Sequence, residues 1–384
     1  MQHDEARPHV KRAFAPRSTV EASREQIARG EETQGHVDDE EVRPSGIRPQ
    51  SEHIVRQLDL QHDDPGELVR LKEAVYGQPV DRDAFAWQYF GHPRARDIHV
   101  FVVESRGHVV AATTRLPATL MIDGAPHPAF FNVDSMVHPE HRRKGHMRTL
   151  YEHARESLPG SPIFVSKGSS SAIYPMLRKI GYQTIEPNTF LVSHPSLPRW
   201  ALSVLGLHRA KGTIDRRPPA GFEDFHLVER FGPEHDLWLA RVCAKLPAAF
   251  ARDAAMMSWR YVDIPHRRYS VFARVVGGEI QGLVVLAASG EKGVIVDILW
   301  APERADEPRR LVRFAQACLA QAGASRVVCF ATHLHLRAVL RSCGFGDRED
   351  TPRFSALVPP EREAAFREAR ELHVVDGDGD TEFS

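Results

Sequence analysis

From residue 53 to residue 360 the chain alternates short β-rich apolar runs with amphipathic stretches, and the same succession occurs twice. Trp87-Gln-Tyr89 with Pro93 returns as Trp259-Arg-Tyr261 with Pro265. Each is followed by two apolar runs around a glycine turn: Val100–Glu104, Arg106-Gly107 and His108–Thr113 first, then Ser270–Val276, Gly277-Gly278 and Glu279–Ala287. Glycine between two β-rich runs predicts a hairpin. A strand follows in each copy (Phe130–Val137; Val294–Trp300), then a loop and a helix (His146–Ser157; Pro308–Gln321). A further strand (Ile163–Ser166; Arg326–Phe330) leads to a short helix (Ser170–Ile180; Leu336–Cys343) closed by Gly181 or Gly344. Glycine suits the left-handed position past a helix end.

The later parts of the copies superpose at a constant offset of 163 positions. Val133-Asp134 falls on Val296-Asp297, Pro139-Glu140 on Pro302-Glu303, Gly160 on Gly323, and Leu177-Arg178 on Leu340-Arg341. The prediction is a mixed α/β (α+β) chain of two tandem domains, each a twisted, mostly antiparallel sheet flanked by helices. Trp87 and Trp259, present in both copies, are expected to pack in the core.

Composition narrows the picture. A length of 384 residues suits two domains with tails. Residues 1–52 carry mixed charge and few large apolar side chains, and read as a disordered tail. The expected first domain spans 53–197, an Arg- and Pro-rich linker 198–223, and the second domain 224–360. Residues 361–384 read as a C-terminal helix and an acidic tail, Asp376-Gly-Asp-Gly-Asp380, expected to be disordered. The formal net charge is −1, so no global basic field draws nucleic acid or anionic lipid. No apolar run reaches the ~20 residues that span a bilayer, and no apolar secretory segment opens the chain. The expectation is a cytoplasmic protein without membrane insertion. Cys243, Cys318, Cys329 and Cys343 form no CxxC pair and are expected as reduced core thiols.

The segment richest in chemistry is Val137-His-Pro-Glu-His-Arg142-Arg-Lys-Gly145-His-Met147. A strand enters, a basic loop follows, and a helix begins. A helix N-terminus presents unpaired N–H groups and partial positive charge, which together make an anion site. Gly145 lets the backbone turn closely around the anion. Arg142, Arg143 and Lys144 add local positive charge. The second copy carries Ala305-Asp306-Glu307-Pro308-Arg309-Arg310 at these positions. Proline lacks the N–H and two acids repel phosphate, so only the first copy is expected to bind one.

In this loop the chain resembles the GNAT superfamily of acyl-CoA-dependent N-acyltransferases, whose phosphate loop reads Gln/Arg-x-x-Gly-x-Gly/Ala. Arg142-Arg143-Lys144-Gly145-His146-Met147 fits it except at Met147, where the family has a small residue. The resemblance covers about residues 53–195 and, more loosely, 224–360. It implies that N–H groups from Gly145 through His146 to Met147 hold the pyrophosphate of acetyl-CoA or a short acyl-CoA. It implies that main chain at Met136 and Val137 pairs with the pantetheine arm; Ser170, with neighbouring Ser169 and Ser171, is a candidate contact to pantetheine or substrate, and such a run equally suits a helix cap. The family often places a Tyr acid four residues before the helix-ending glycine. Leu177 stands there, so Tyr174, one turn earlier, is the substitute candidate.

Asp134, an acid in an apolar strand, is the candidate base, with His138 and His141 as alternatives. Its counterpart Asp297 in the degenerate copy argues instead for a structural acid. The reaction implied is acyl transfer to a primary amine, and the Trp-x-Tyr tandem pattern resembles acyltransferases of bacterial surface polysaccharide synthesis, which makes an amino sugar the first acceptor to consider. No metal is expected, and His333-x-His335 reads as a surface turn. The rivals are a Fem-type aminoacyl-tRNA-dependent transferase, which also doubles this fold, and a non-enzymatic CoA-sensing or scaffold protein.

Overall fold

The computed structural model describes residues 53–60, 62–169, 173–187, 189–194, 212–348, 353–368 and 371–378. The expected tail 1–52, Ser170, Ser171 and the apolar linker stretch Trp200–Leu207 lie outside these residues. The first half runs β1 (His53–Leu58), α1 (Gly66–Tyr76), α2 (Arg82–Tyr89), β2 (His99–Ser105), β3 (His108–Ile122), β4 (Ala125–Val137), α3 (His146–Ser157), β5 (Ile163–Ser169), α4 (Tyr174–Lys179), β6 (Gln183–Thr184) and β7 (Phe190–Ser193). The second runs β8 (Phe225–Leu227), α5 (Pro233–Lys245), β9 (Ala248–Phe250), α6 (Ala254–Tyr261), β10 (Ser270–Val276), β11 (Glu279–Ser289), β12 (Lys292–Trp300), α7 (Glu307–Gln321), β13 (Arg326–Phe330), α8 (Leu334–Ser342), β14 (Gly346–Asp347), β15 (Arg353–Leu357), α9 (Pro360–Glu368) and β16 (Leu372–His373).

The order of elements is the one the hydrophobic pattern predicts. Both hairpins form around their glycine turns, β2–β3 and β10–β11. In each half one sheet face is covered by a helix with a pronounced apolar stripe. Leu150, Tyr151 and Ala154 of α3 pack on Phe101, Val103 and Ala111. Leu311, Phe314 and Leu319 of α7 pack on Phe272, Val284 and Leu286. Burial of such stripes, more than helix propensity, holds amphipathic helices in place.

The sheets do not respect the expected boundaries 53–197 and 224–360. The first sheet runs β1-β2-β3-β4-β5-β15-β6 and the second β8-β10-β11-β12-β13-β7-β14. Thus β7, from the first half, lies antiparallel between β13 and β14 of the second. In return β15, from the second half, lies antiparallel between β5 and β6 of the first. Phe190 and Arg353, which open β7 and β15, stand 163 positions apart, so equivalent strands have been exchanged.

The same pseudo-twofold relation governs the two tryptophans. Trp87 and Trp259 stack with ring centroids 4.6 Å apart and planes 11° from parallel. Trp87 Nε1 donates to the Trp259 carbonyl at 2.7 Å, and Trp259 Nε1 donates to the Trp87 carbonyl at 2.9 Å. They pack against each other across the junction of the halves, and each satisfies the buried carbonyl of the other.

Two expectations need correction. Asp376–Asp378 belong to the core: Val374, Val375 and Asp378 are buried, and Asp378 receives both 2.9 Å contacts of Arg252 Nη2. The acids that look solvated in sequence are neutralised by partners far away in the chain. His333 is a buried helix cap whose ring accepts from Leu336 N, where a surface turn was expected. Cys243, Cys318 and Cys329 are buried free thiols, and burial pushes the Cys318 thiol up to about 12.

Candidate functional site

The site begins with a bend in β4. Between β3 and β4, Ala112 faces Met136 and Thr114 faces Val133, so Asp134 and Ser135 together oppose Thr113. Two residues against one make a β-bulge, which bends its strand. Asp134 holds φ +46°, a conformation unfavourable for any residue with a side chain. Its carboxylate accepts from Tyr89 Oη at 2.7 Å, Gln88 Nε2 at 2.9 Å and Lys72 Nζ at 3.1 Å. Helices α1 and α2 thus clamp the bulge. Beyond it β4 leaves its neighbour: parallel pairing with β5 covers only Ala129–Phe131 against Ile163–Val165. The two strands part from there on, and the main chain of Met136 and Val137 lies on the parted stretch.

The parted end of β4 feeds the basic loop. Gly145 stands at φ +83° as the N-cap of α3 and offers no side-chain cap. By contrast Asp81 and Asp253 cap α2 and α6 through their carboxylates. A Cβ at Gly145 would meet nothing within 4 Å, so the backbone conformation, not lack of room, asks for glycine. Arg142, Arg143, Lys144 and Gly145 are exposed, His146 is buried and Met147 is half-buried against the α3 core. Arg143 is also left-handed, at φ +63°. Beside the loop lies a groove of about 520 Å³ lined by His53, Arg106, His108, His138, His141 and Lys144 among others. Burial, then Lys144, holds the His141 ring below its ordinary value. Burial, then His53 and His141, does the same to His146.

Tyr174 is the first residue of α4, and its side chain is buried. Sequence reasoning missed a hydroxyl chain at the bulge. Ser135 Oγ lies 2.9 Å from Thr113 Oγ1 and 2.9 Å from Tyr151 Oη, and the Tyr151 ring carries the Arg115 guanidinium 4.4 Å from its centroid. Hydroxyls set inside the apolar runs of β3 and β4 were the signal available. Lys72 was missed as well, since a lysine on an amphipathic helix reads as solvated. Among the described residues, no group of three or more His, Cys, Asp or Glu side chains could hold a metal ion.

The second half repeats the bend and not the loop. Asp297 accepts from Tyr261 Oη at 3.0 Å and Arg252 Nε at 2.9 Å, so both copies tie the tyrosine of Trp-x-Tyr to the same aspartate. At α7, Pro308 removes an N–H from the first turn, and the buried Glu307 carboxylate is paired with Arg274. An acid stands where the first half has Lys144. At the position of Tyr174 stands Arg337, buried and donating to the Thr189 and Ala331 carbonyls at 2.8 Å each.

Residues 58–185 match the family model for the acetyltransferase (GNAT) domain. Solved structures share the fold over both halves. A GCN5-related N-acetyltransferase from Anabaena variabilis ATCC 29413 is 12% identical, with a TM-score of 0.58 over 79% of this chain and 73% of its own. A conserved protein of unknown function from Enterococcus faecalis V583, described as a probable N-acyltransferase, is 13% identical, with a TM-score of 0.55 over 80% and 72%. A GCN5-related N-acetyltransferase from Kribbella flavida is 15% identical, with a TM-score of 0.50 over 80% and 71%. No curated protein matches the sequence. Among the described residues no helix is long and apolar enough to cross a membrane.

Proposed function

We propose that the chain is an acyl-CoA-dependent N-acyltransferase whose first half holds the donor and transfers a short acyl group to a primary amine. One observation carries this reading: the glycine-led N-terminus of α3, without a side-chain cap, stands at the end of a strand that has parted from its neighbour. The N–H groups of Gly145, His146 and Met147 bind pyrophosphate, aided by Arg142, Arg143 and Lys144. The freed edge of β4 at Met136 and Val137 pairs with the pantetheine amides as an added strand would and directs a main-chain N–H at the thioester oxygen.

The amine nitrogen attacks the thioester carbonyl and gives up one proton to solvent, the C–S bond breaks, and the leaving thiolate takes a proton. Tyr174 is one candidate for that proton, and Tyr151, hydrogen-bonded to Ser135 on the bulge, is a second. Asp134 we assign to anchoring. Its oxygens already receive three side chains, and Asp297 repeats the role in a half whose phosphate loop is lost. An amino sugar heads the acceptor screen.

Calorimetric titration with acetyl-CoA tests the reading, followed by thiol release with a panel of amines. One site per chain, with turnover on an amine, is the expected result. Absence of CoA binding would shift the reading to the aminoacyl-tRNA-dependent class, and binding without turnover to a CoA sensor. Tyr174→Phe and Tyr151→Phe separate the acids: the true donor slows turnover and leaves CoA affinity unchanged.

A further inference from the structure

We infer that residues 374–378 are an internal ligand of the second half, seated between β12 and β13 in the place that the proposed donor arm takes between β4 and β5. The two halves part at equivalent points. Strand β12 pairs with β13 only from Lys292↔Arg326 to Ile295↔Cys329, and its register against β11 shifts between Val285 and Leu286, where the bend occurs. Within the resulting gap runs the chain's own segment. Gly377 N donates to the Val296 carbonyl at 2.8 Å, on the β12 side. On the β13 side, Ala331 and Val375 form an antiparallel bridge and Thr332 N donates to the Val374 carbonyl at 3.1 Å. Val296 is the counterpart of Val133, which precedes the bulge in the first half. Among the described residues, no strand pairs into the corresponding gap of the first half.

The seat is built for this occupant. A Cβ on Gly377 would lie 2.0 Å from Tyr261 Oη and 3.3 Å from the Val296 carbonyl, so only glycine fits. Asp378 closes the segment by accepting from Val375 N at 3.0 Å and from Arg252, which also holds Asp297 at the bend. Burial works against the Arg252 charge, but Asp297 and Asp378 more than offset it and hold its pKa well above the ordinary value. Lys167, on β5 of the first half, donates to the Asp376 carbonyl at 2.6 Å and to its carboxylate at 3.1 Å, and its side chain is fully buried. The second half is therefore closed to an acyl donor by an occupant as well as by its altered loop, and the occupant is tied to a wall of the working cleft. Sheet edges are often completed by an extended segment in this way, with main-chain bonds supplying affinity. Only the analogy with the donor arm rests on the proposed function; the seat itself does not.

Amide hydrogen exchange of the full chain tests the inference. In the wild type, Val374, Val375 and Gly377 should exchange as slowly as β12 and β13. In Gly377→Val the segment should exchange like a free peptide while β2–β5 keep their protection, and a synthetic peptide of residues 371–378 should restore protection to β12 and β13. Unchanged protection of the segment in Gly377→Val would overturn the inference. Should that variant fail to fold, a protease site placed at 369–370 in the wild-type sequence supplies the second test. After cleavage the fragment should dissociate on dilution and rebind, leaving β2–β5 protected. Collapse of the whole fold on dissociation would show an integral strand and not a ligand. Neither readout depends on CoA, so failure of the donor assignment remains distinguishable.

Discussion

The N-termini of α3 and α7 occupy equivalent places, each after a bent strand, and only the first carries the features we propose for phosphate binding. At α3 a left-handed glycine opens the helix without a side-chain cap, beside an exposed arginine pair and lysine. At α7 a proline deletes a donor and a buried glutamate folds onto Arg274. The aspartate at the bend, the tyrosine that holds it and the stacked tryptophan are the same in both. The fold therefore does not specify chemistry. It supplies the bend and the helix end in both halves, and the residues of the loop differ between them.

The comparison can be broken most sharply at Gly145. Gly145→Pro should reduce acetyl-CoA binding below detection by calorimetry while the thermal transition is retained, because it removes one N–H and the left-handed turn. The reverse graft, Glu307→Lys with Pro308→Gly, should still show one site per chain, since 374–378 hold the second cleft; a second site would refute that occupancy. Next in size comes the shared element. Trp87→Ala and Trp259→Ala should each cost about 3–5 kcal/mol in urea unfolding, and the double variant less than the sum, because each removes the other's partner.

A smaller effect sits beside that stack, where His92 of the first half meets Trp259 and His266 of the second meets Trp87. His92 is buried, its ring 4.5 Å from the Trp259 ring. Burial, then Arg94 and Arg260, lowers its pKa to about 3. The unfolded chain binds this proton more readily, so stability is complete above the unfolded value of about 6.5 and falls on acidification from there toward about 3. By pH 5 the loss should reach about 2 kcal/mol. His92→Gln should flatten that part of the slope, and His373, lowered in the same sense by burial, should retain the rest. The smallest effect belongs to the loop. His141 and His146 are held below their ordinary values, and a bound pyrophosphate would raise them again. Binding would then take up protons, so acetyl-CoA affinity should be severalfold higher at pH 6 than at pH 8; equal affinities would remove the histidines from the site.

Much of this was legible where local pattern decides. Helix His146–Ser157 and strand Arg326–Phe330 fall on their expected residues, because a glycine or a polar turn bounds each apolar stretch. The loop's geometry was legible too, since a helix start and a left-handed glycine are local events. Partner choice was not. Phe190–Ser193 and Arg353–Leu357 have the period of strands, but nothing in that period says which sheet receives them. Asp376 and Asp378 read as solvent-exposed because their cations, Lys167 and Arg252, lie far away in sequence. Lys72 and Ser135 escaped notice for the same reason: their roles exist only once α1, α3 and the bulge are assembled.

The exchanged strands carry a consequence for biosynthesis. The first sheet cannot be completed until residue 357 has been made, because β15 fills the place between β5 and β6. Until then the nascent first half exposes the unpaired edge of β5 and holds β7 without its partner sheet, which is the condition under which β-rich chains pair with the wrong neighbour. Contacts this distant in sequence also form slowly. A ribosome that releases the chain late, or a chaperone that covers β5, should therefore govern the yield of native protein more than the final stability does.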